Sequence, residues 1–114
     1  MKLKIPQNTE RISWTKHSLE KMRFYNLSEN RIKRALRNPN RKEEGIAPNT
    51  LAVMQRTGTK KHPTEIWLMY QIIKLKVKSQ KLKVISAWRY PGISPKGKEI
   101  PIPQDILEEL EKLI

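Results

Sequence analysis

In the stretch TKHSLEKM, His17 follows Thr15 by two positions, and that spacing bears on the chemistry open to the imidazole. Thr15 is a good helix N-cap, since its hydroxyl can accept a hydrogen bond from a free backbone N–H of the first turn. His17 then stands in that first turn, where unsatisfied N–H groups carry partial positive charge. Together with Lys16 and Lys21, that field disfavours the imidazolium, and a neutral ring at about pH 7 can accept a proton. Phosphodiester cleavage by internal transesterification is one reaction built on such a base. It needs a base for the ribose 2′-OH proton, cations for the charge on phosphate and an acid for the leaving oxygen. Arg89 and Arg56 are the candidates for phosphate, and Tyr70 is the candidate for donating the leaving-group proton or stacking a base.

Each of these residues has a plainer use. A lone histidine at a helix start also serves as a packing or capping residue, and Tyr70 with Arg89 also makes a cation–π pair. Trp14, Trp67 and Trp88 are core candidates, Phe24 and Tyr25 are placed against a sheet, and His62 in the polar stretch TGTKKHPTE reads as solvated.

Charge points to the kind of partner. Lysine and arginine number 24 against 11 acids, a formal net charge of +13. Five of the acids (Glu99, Asp105, Glu108, Glu109 and Glu111) fall in the last sixteen residues beside a single lysine, Lys112, so residues 1–98 carry 23 cations against 6 acids, or +17. Such a surface draws polyanions, nucleic acid foremost, and speeds encounter with them. Zero cysteines exclude a disulfide framework and thiolate chemistry, and two histidines 45 positions apart give no structural zinc site. No run approaches the roughly 20 apolar residues that cross a bilayer. MKLKIPQNTE has no apolar stretch ahead of a small-residue cleavage site, so the expectation is a cytoplasmic protein with no membrane partner. The phosphate-binding, dinucleotide, zinc-protease and nucleophile-elbow motifs are absent. Glu43 and Glu44 could hold magnesium, but with Arg41 and Lys42 beside them they read first as an ion-paired loop. No cofactor is called for.

The elements that must position these residues follow from periodicity. RISW (11–14) reads as a short first strand. Two helices of about ten residues follow, capped by Thr15 and Ser28 and stapled by Trp14 with Leu19 and by Leu27 with Ile32; Pro39 stops the second. RKEEGIAPN reads as a loop. TLAVMQR, EIWLMYQIIKLKVK and KLKVISAWRY then read as strands, the last halted by Pro91-Gly92. The tail PQDILEELEKLI sets Ile106, Leu107, Leu110, Leu113 and Ile114 on one helical stripe. The whole is expected as one α+β domain over 1–114: a core at about 10–92, a proline-rich loop at 91–103 and a helix at 103–114, with an antiparallel sheet covered on one face.

If Ser79-Gln80 makes a two-residue hairpin turn, Lys78 lies opposite Lys81, Lys76 opposite Lys83 and Tyr70 opposite Arg89. Lys74, Lys76, Lys78, Lys81 and Lys83 then share one face with Tyr70 and Arg89. Like charges across a strand pair are destabilising, a cost that a bound phosphate chain removes. The same lysines also solubilise an exposed ribbon or block edge pairing.

The segment TKHSLEKMRFYNLSENRIKRAL, through His17, Met22, Leu27, Ile32, Ala35 and Leu36, resembles the opening of the bacterial domain-of-unknown-function 4258 family, placed near the RelE, ParE, HigB and BrnT toxins. RKEEGIAPNTLAVMQR, EIWLMYQ and VISAWRYPG resemble a variant of it, so the likeness runs over about residues 12 to 95. The resemblance implies a RelE-like or barnase-like fold with N-terminal helices on a curved antiparallel sheet of about four strands. It also implies RNA or the ribosome as substrate, metal-independent endoribonuclease activity and an antitoxin partner. ParE-like relatives poison gyrase instead, so fold alone does not assign activity. The extended loop GISPKGKEIPIP and the acidic tail are additions to the family pattern. The leading expectation is a small basic RNA-binding protein with toxin-like endoribonuclease activity: His17 as base, Arg89 and Arg56 on phosphate, Tyr70 as acid or stacking group, and lysines 74, 76, 78, 81 and 83 along the backbone. The alternatives are a noncatalytic RNA- or ribosome-binding module and a protein-interaction module of a toxin–antitoxin pair.

Overall fold

A computed structural model describes residues 5–46, 48–76, 79–95, 97 and 99–112. The elements run β1 (Ile12–Trp14), α1 (Lys16–Phe24), α2 (Glu29–Arg37), β2 (Arg41–Glu44), β3 (Thr50–Gly58), β4 (Pro63–Lys76), β5 (Ser79–Pro91) and α3 (Gln104–Glu111). The strands form one sheet in the order β1-β5-β4-β3-β2, with β1 parallel to β5 and the other pairs antiparallel.

Both caps form as their residue types dictate. Thr15 Oγ accepts the Ser18 N–H at 3.0 Å, and Ser28 Oγ accepts the Arg31 N–H at 3.1 Å. The staple residues Trp14, Leu27 and Ile32 are buried in one cluster, with Leu19 packed against it. α2 ends at Arg37, two residues before Pro39, because the residue preceding a proline is driven out of the helical region.

The sheet differs from the expected one in three respects. It has five strands rather than about four, since Arg41–Glu44, read as loop, pairs with Leu51–Met54 as an edge strand. Charged residues mask a strand of this kind, because an edge faces solvent and takes charge readily. It is mixed, since the three-residue β1 runs parallel to β5. It is also covered on both faces. Helices α1 and α2 lie over a cluster that includes Trp14, Met22, Leu27, Ile32, Val53, Ile66, Leu68 and Tyr70. The opposite face buries Met54, Trp67, Met69, Ile85 and Trp88 under Ile106 and Leu110 of α3. β4 is therefore apolar on both sides from Ile66 to Tyr70, as a doubly covered strand must be. Of the tail stripe, Ile106 and Leu110 are fully buried and Leu107 half-buried; Leu113 and Ile114 lie outside the described residues.

The hairpin register also departs from expectation. Ser79 and Gln80 belong to β5, opposite Lys76 and Lys74, so they are not the turn; Ser-Gln lacks the positive-φ residues that a tight hairpin turn favours. Tyr70 lies opposite Val84, and Arg89 lies opposite Ile66, so the expected Tyr70–Arg89 pairing does not occur.

A polar network ties the second face together. Glu65 is fully buried, and its carboxylate accepts Trp67 Nε1–H at 3.0 Å and the Ser94 N–H at 3.1 Å. Arg41 of β2 lies over the Trp67 ring, 5.1 Å from its centroid, and donates to Ser94 Oγ at 2.7 Å and to Glu43 Oε1. Trp67 stacks on its cross-strand partner Trp88 at 6.0 Å, and Trp88 Nε1–H donates to the Pro101 carbonyl. Where β2 meets β3, a Cβ on Gly45 would stand 2.1 Å from Thr50 Oγ1, so glycine alone fits.

Glu65→Ala strands two buried N–H donors, at a cost of about 2–4 kcal/mol in urea unfolding. Glu65→Gln, which keeps one acceptor oxygen, is expected to lose less. A loss below about 1 kcal/mol for the alanine variant counts against the network.

Candidate nucleic-acid interface

The Thr15 cap positions His17 in the first turn of α1, and the Thr15 hydroxyl also donates to the Ile85 carbonyl at 3.1 Å, pinning this turn to β5. The ring is half-buried, with Nε2 3.0 Å from Oγ of the fully buried Ser86. Burial is the main cause that lowers the His17 pKa below its ordinary 6.5; Lys21 acts the same way, while Glu109, Glu20 and Asp105 oppose it. Two of those acids belong to α3, and Asp105 is ion-paired with Lys21. The ring is disposed to be neutral, as expected, but chiefly through desolvation.

Tyr70 is buried among the residues facing α1 and α2, opposite Leu51 and Val84, and desolvation raises its phenol pKa above 10.0. Arg56 is exposed opposite Glu65. Alternation along β3 puts Val53 and Gln55 on the α2 side and Met54 and Arg56 on the α3 side. In β5, Trp88 points to the α3 side and Arg89 to the other. Arg56 and Arg89 therefore stand on opposite faces of the sheet, and the four residues assigned to cleavage do not converge.

The lysines divide in the same way. Lys74 with Gln80 lies on the side of Tyr70 and Val84, whereas Lys81 with Ile73 and Lys83 with Gln71 lie on the other. The single lysine face is thus corrected to two. Lys78 and the side chain of Lys76 lie outside the described residues.

A different set does converge. Arg31 on α2 is half-buried and donates to Gln55 Oε1, and its pKa is lowered by burial, then by Arg34, then by Arg89. Arg89 Nη2–H donates to the Tyr25 carbonyl at 3.3 Å. Among the described residues none of these three arginines is in an ion pair. Gln55 and Arg89 flank Ile66 in register, so Arg31 and Arg89 stand over the same face of the sheet, with Arg34 one turn further along α2. Guanidinium groups placed together without an ion-pair partner suit phosphate. Phe24, which precedes the Tyr25 whose carbonyl Arg89 meets, is 73% exposed, in edge-to-face contact with Tyr25 at 4.8 Å and with Lys21 Nζ 5.5 Å from its ring centroid. An exposed ring next to a phosphate site can stack an unpaired base.

In the sequence Arg31 and Arg34 are hidden by the apolar spacing of Ile32, Ala35 and Leu36, which dominates the pattern of α2. Their i, i+3 separation beside the buried Ile32 and Ala35 was the available signal. Phe24 was expected against the sheet and stands in solvent instead. Among the described residues no three His, Asp or Glu side chains gather as a metal set, and no helix is long and apolar enough to cross a membrane. Compared with protein-family models, curated proteins and solved structures, the chain matches none of them.

Because the folded His17 pKa lies below 6.5, the unfolded chain takes up a proton first as pH falls. Stability is complete above the ordinary pKa and declines on going down through it. The melting temperature is expected to drop between about pH 7.5 and 5.5, above the carboxylate range, and to drop less in His17→Gln. Equal pH dependence in the two proteins would show that the ring is not protected from protonation.

Proposed function

We propose that this chain is a small RNA-binding protein of RelE-like architecture, gripping the phosphate chain with Arg31, Arg34 and Arg89 and stacking an unpaired base on Phe24. The carrying observation is that Arg31, bonded to Gln55, and Arg89 stand over one face of the sheet on either side of Ile66, with Arg34 one turn along α2 and none of the three in an ion pair among the described residues, on a body whose charge is +17 over residues 1–98. Two N-terminal helices packed on a largely antiparallel sheet support the RelE-like reading.

Binding without cleavage is the reading the side chains support best. A general base must reach the 2′-OH beside a cation, yet His17 Nε2 meets the buried Ser86 hydroxyl, Tyr70 is enclosed, and Arg56 lies across the sheet from Arg89. The RNA partner is a free strand or one exposed on the ribosome; the chemistry that recognises it is the same.

Titrating labelled single-stranded RNA by fluorescence anisotropy from about 50 to 200 mM salt tests the reading. Affinity is expected to fall linearly on a log–log plot, and Arg89→Ala and Arg31→Ala each to flatten the slope by roughly 0.7. Phe24→Ala is expected to weaken binding by about 1–3 kcal/mol with the slope unchanged. RNA recovered afterwards is expected intact; cleavage that His17→Ala abolishes would restore the nuclease reading, and unaltered slopes in both arginine variants would remove the proposed site.

A further inference from the structure

The β4–β5 hairpin outruns the rest of the sheet. β3 begins at Thr50, opposite Gln71, and β1 begins at Ile12, opposite Leu82, so Ile73–Lys76 and Ser79–Lys81 pair only with each other. The result is a two-stranded arm projecting beyond the covered sheet. Its cations are not on one side: Lys74 faces with Tyr70 and Leu82, while Lys81 and, at the base of the arm, Lys83 face the opposite way. Among the described residues none of the three is in an ion pair. Two aliphatic side chains of the arm are exposed: Ile72 at 37%, on the Lys74 face, and Leu75 at 54%, at the irregularity in β4.

A platform carrying one extended strand needs cations on the face that meets it. A ribbon basic on both faces is matched instead by two phosphate walls, one on each side, which is the geometry of a double-helical groove. The width agrees: measured across its faces a sheet layer with its side chains occupies about 10 Å, and a groove of about 12 Å admits a two-stranded ribbon. A regular A-form RNA helix has a major groove too narrow for this, and bulges and internal loops are the places where it opens.

We propose that the β4–β5 arm enters the major groove of an RNA helix at a bulge or internal loop, with Lys74 toward one phosphate strand and Lys81 and Lys83 toward the other. This rests on the RNA-binding reading above and adds to it the class of RNA. Ile72 and Leu75 supply apolar contact to the bases exposed there.

Anisotropy titrations with four labelled probes of equal length test it: single-stranded RNA, an uninterrupted RNA duplex, the same duplex with a central bulge, and a DNA duplex. Wild-type protein is expected to bind the bulged RNA tightest. Lys74→Gln and the double variant Lys81→Gln/Lys83→Gln are each expected to lose roughly 3- to 10-fold on the bulged RNA, with less than about twofold change on single-stranded RNA. Unchanged thermal melts would show that these substitutions, at exposed Lys74 and half-buried Lys81 and Lys83, leave the fold intact. Loss from one lysine face alone, equal loss on single-stranded and bulged RNA, or tightest binding to any other probe overturns the arm proposal. If wild-type protein binds no RNA, the RNA reading itself falls. If Arg89→Ala weakens binding while both arm variants match wild type, the arm proposal alone falls.

Discussion

Between the pairs Met69–Ser86 and Tyr70–Val84, β5 carries one residue more than β4, Ile85, and that single insertion governs which side chains share a face. Side chains alternate with a period of two, so one extra residue exchanges the faces of everything beyond it. On one side of the bulge Ala87 and Arg89 point toward α1 and α2. On the other Val84 and Leu82 do so, and Lys83 and Lys81 are sent to the α3 side. A second irregularity between Lys74 and Lys76 alters the phase again near the hairpin end. Without the bulge Val84 would face α3 and the lysines would form one strip. The division of charge in the arm is a consequence of core packing at its root.

Doubly covering the sheet makes a second demand. Its α3 side is closed by an eight-residue helix and the proline-rich loop that precedes it. They are held by apolar burial of Ile106 and Leu110 and by bonds that reach across the layer: Trp88 to Pro101, Glu65 to Ser94, Arg41 to Ser94. A buried carboxylate is tolerable because both its oxygens meet N–H donors, and Arg41 is tolerable because its guanidinium stacks on Trp67 and bonds to Glu43 and Ser94. The same network anchors the edge strand β2. Lys21 of α1 and Asp105 of α3 add a link between helices of the two layers.

The distribution of charge follows from this frame. Acids concentrate in α3, where Asp105 and Glu109 lie near α1, so the histidine side of the molecule is electrostatically mixed. On the α2 side Glu29 is taken by Lys33, while Arg31, Arg34 and Arg89 are in no ion pair among the described residues. Among the described residues, the cations that are in no ion pair thus include Arg31, Arg34 and Arg89 at the α2 face and Lys74, Lys81 and Lys83 along the arm.

From the sequence alone both N-caps, both staples, the stop before Pro39, the three long strands and the tail helix were legible, because each depends on residues within a few positions of one another. The neutral leaning of His17 was legible too, although its leading cause, burial, was not. Tertiary structure alone decided the strand Arg41–Glu44, whose charged residues carry no strand pattern and whose pairing is supplied by β3. It also decided the bulge at Ile85, the burial of Glu65 and the placing of Arg31 and Arg89 over one face of the sheet. Register and convergence are set by contacts between segments tens of residues apart, and alternation within one strand carries no information about where its partner inserts a residue.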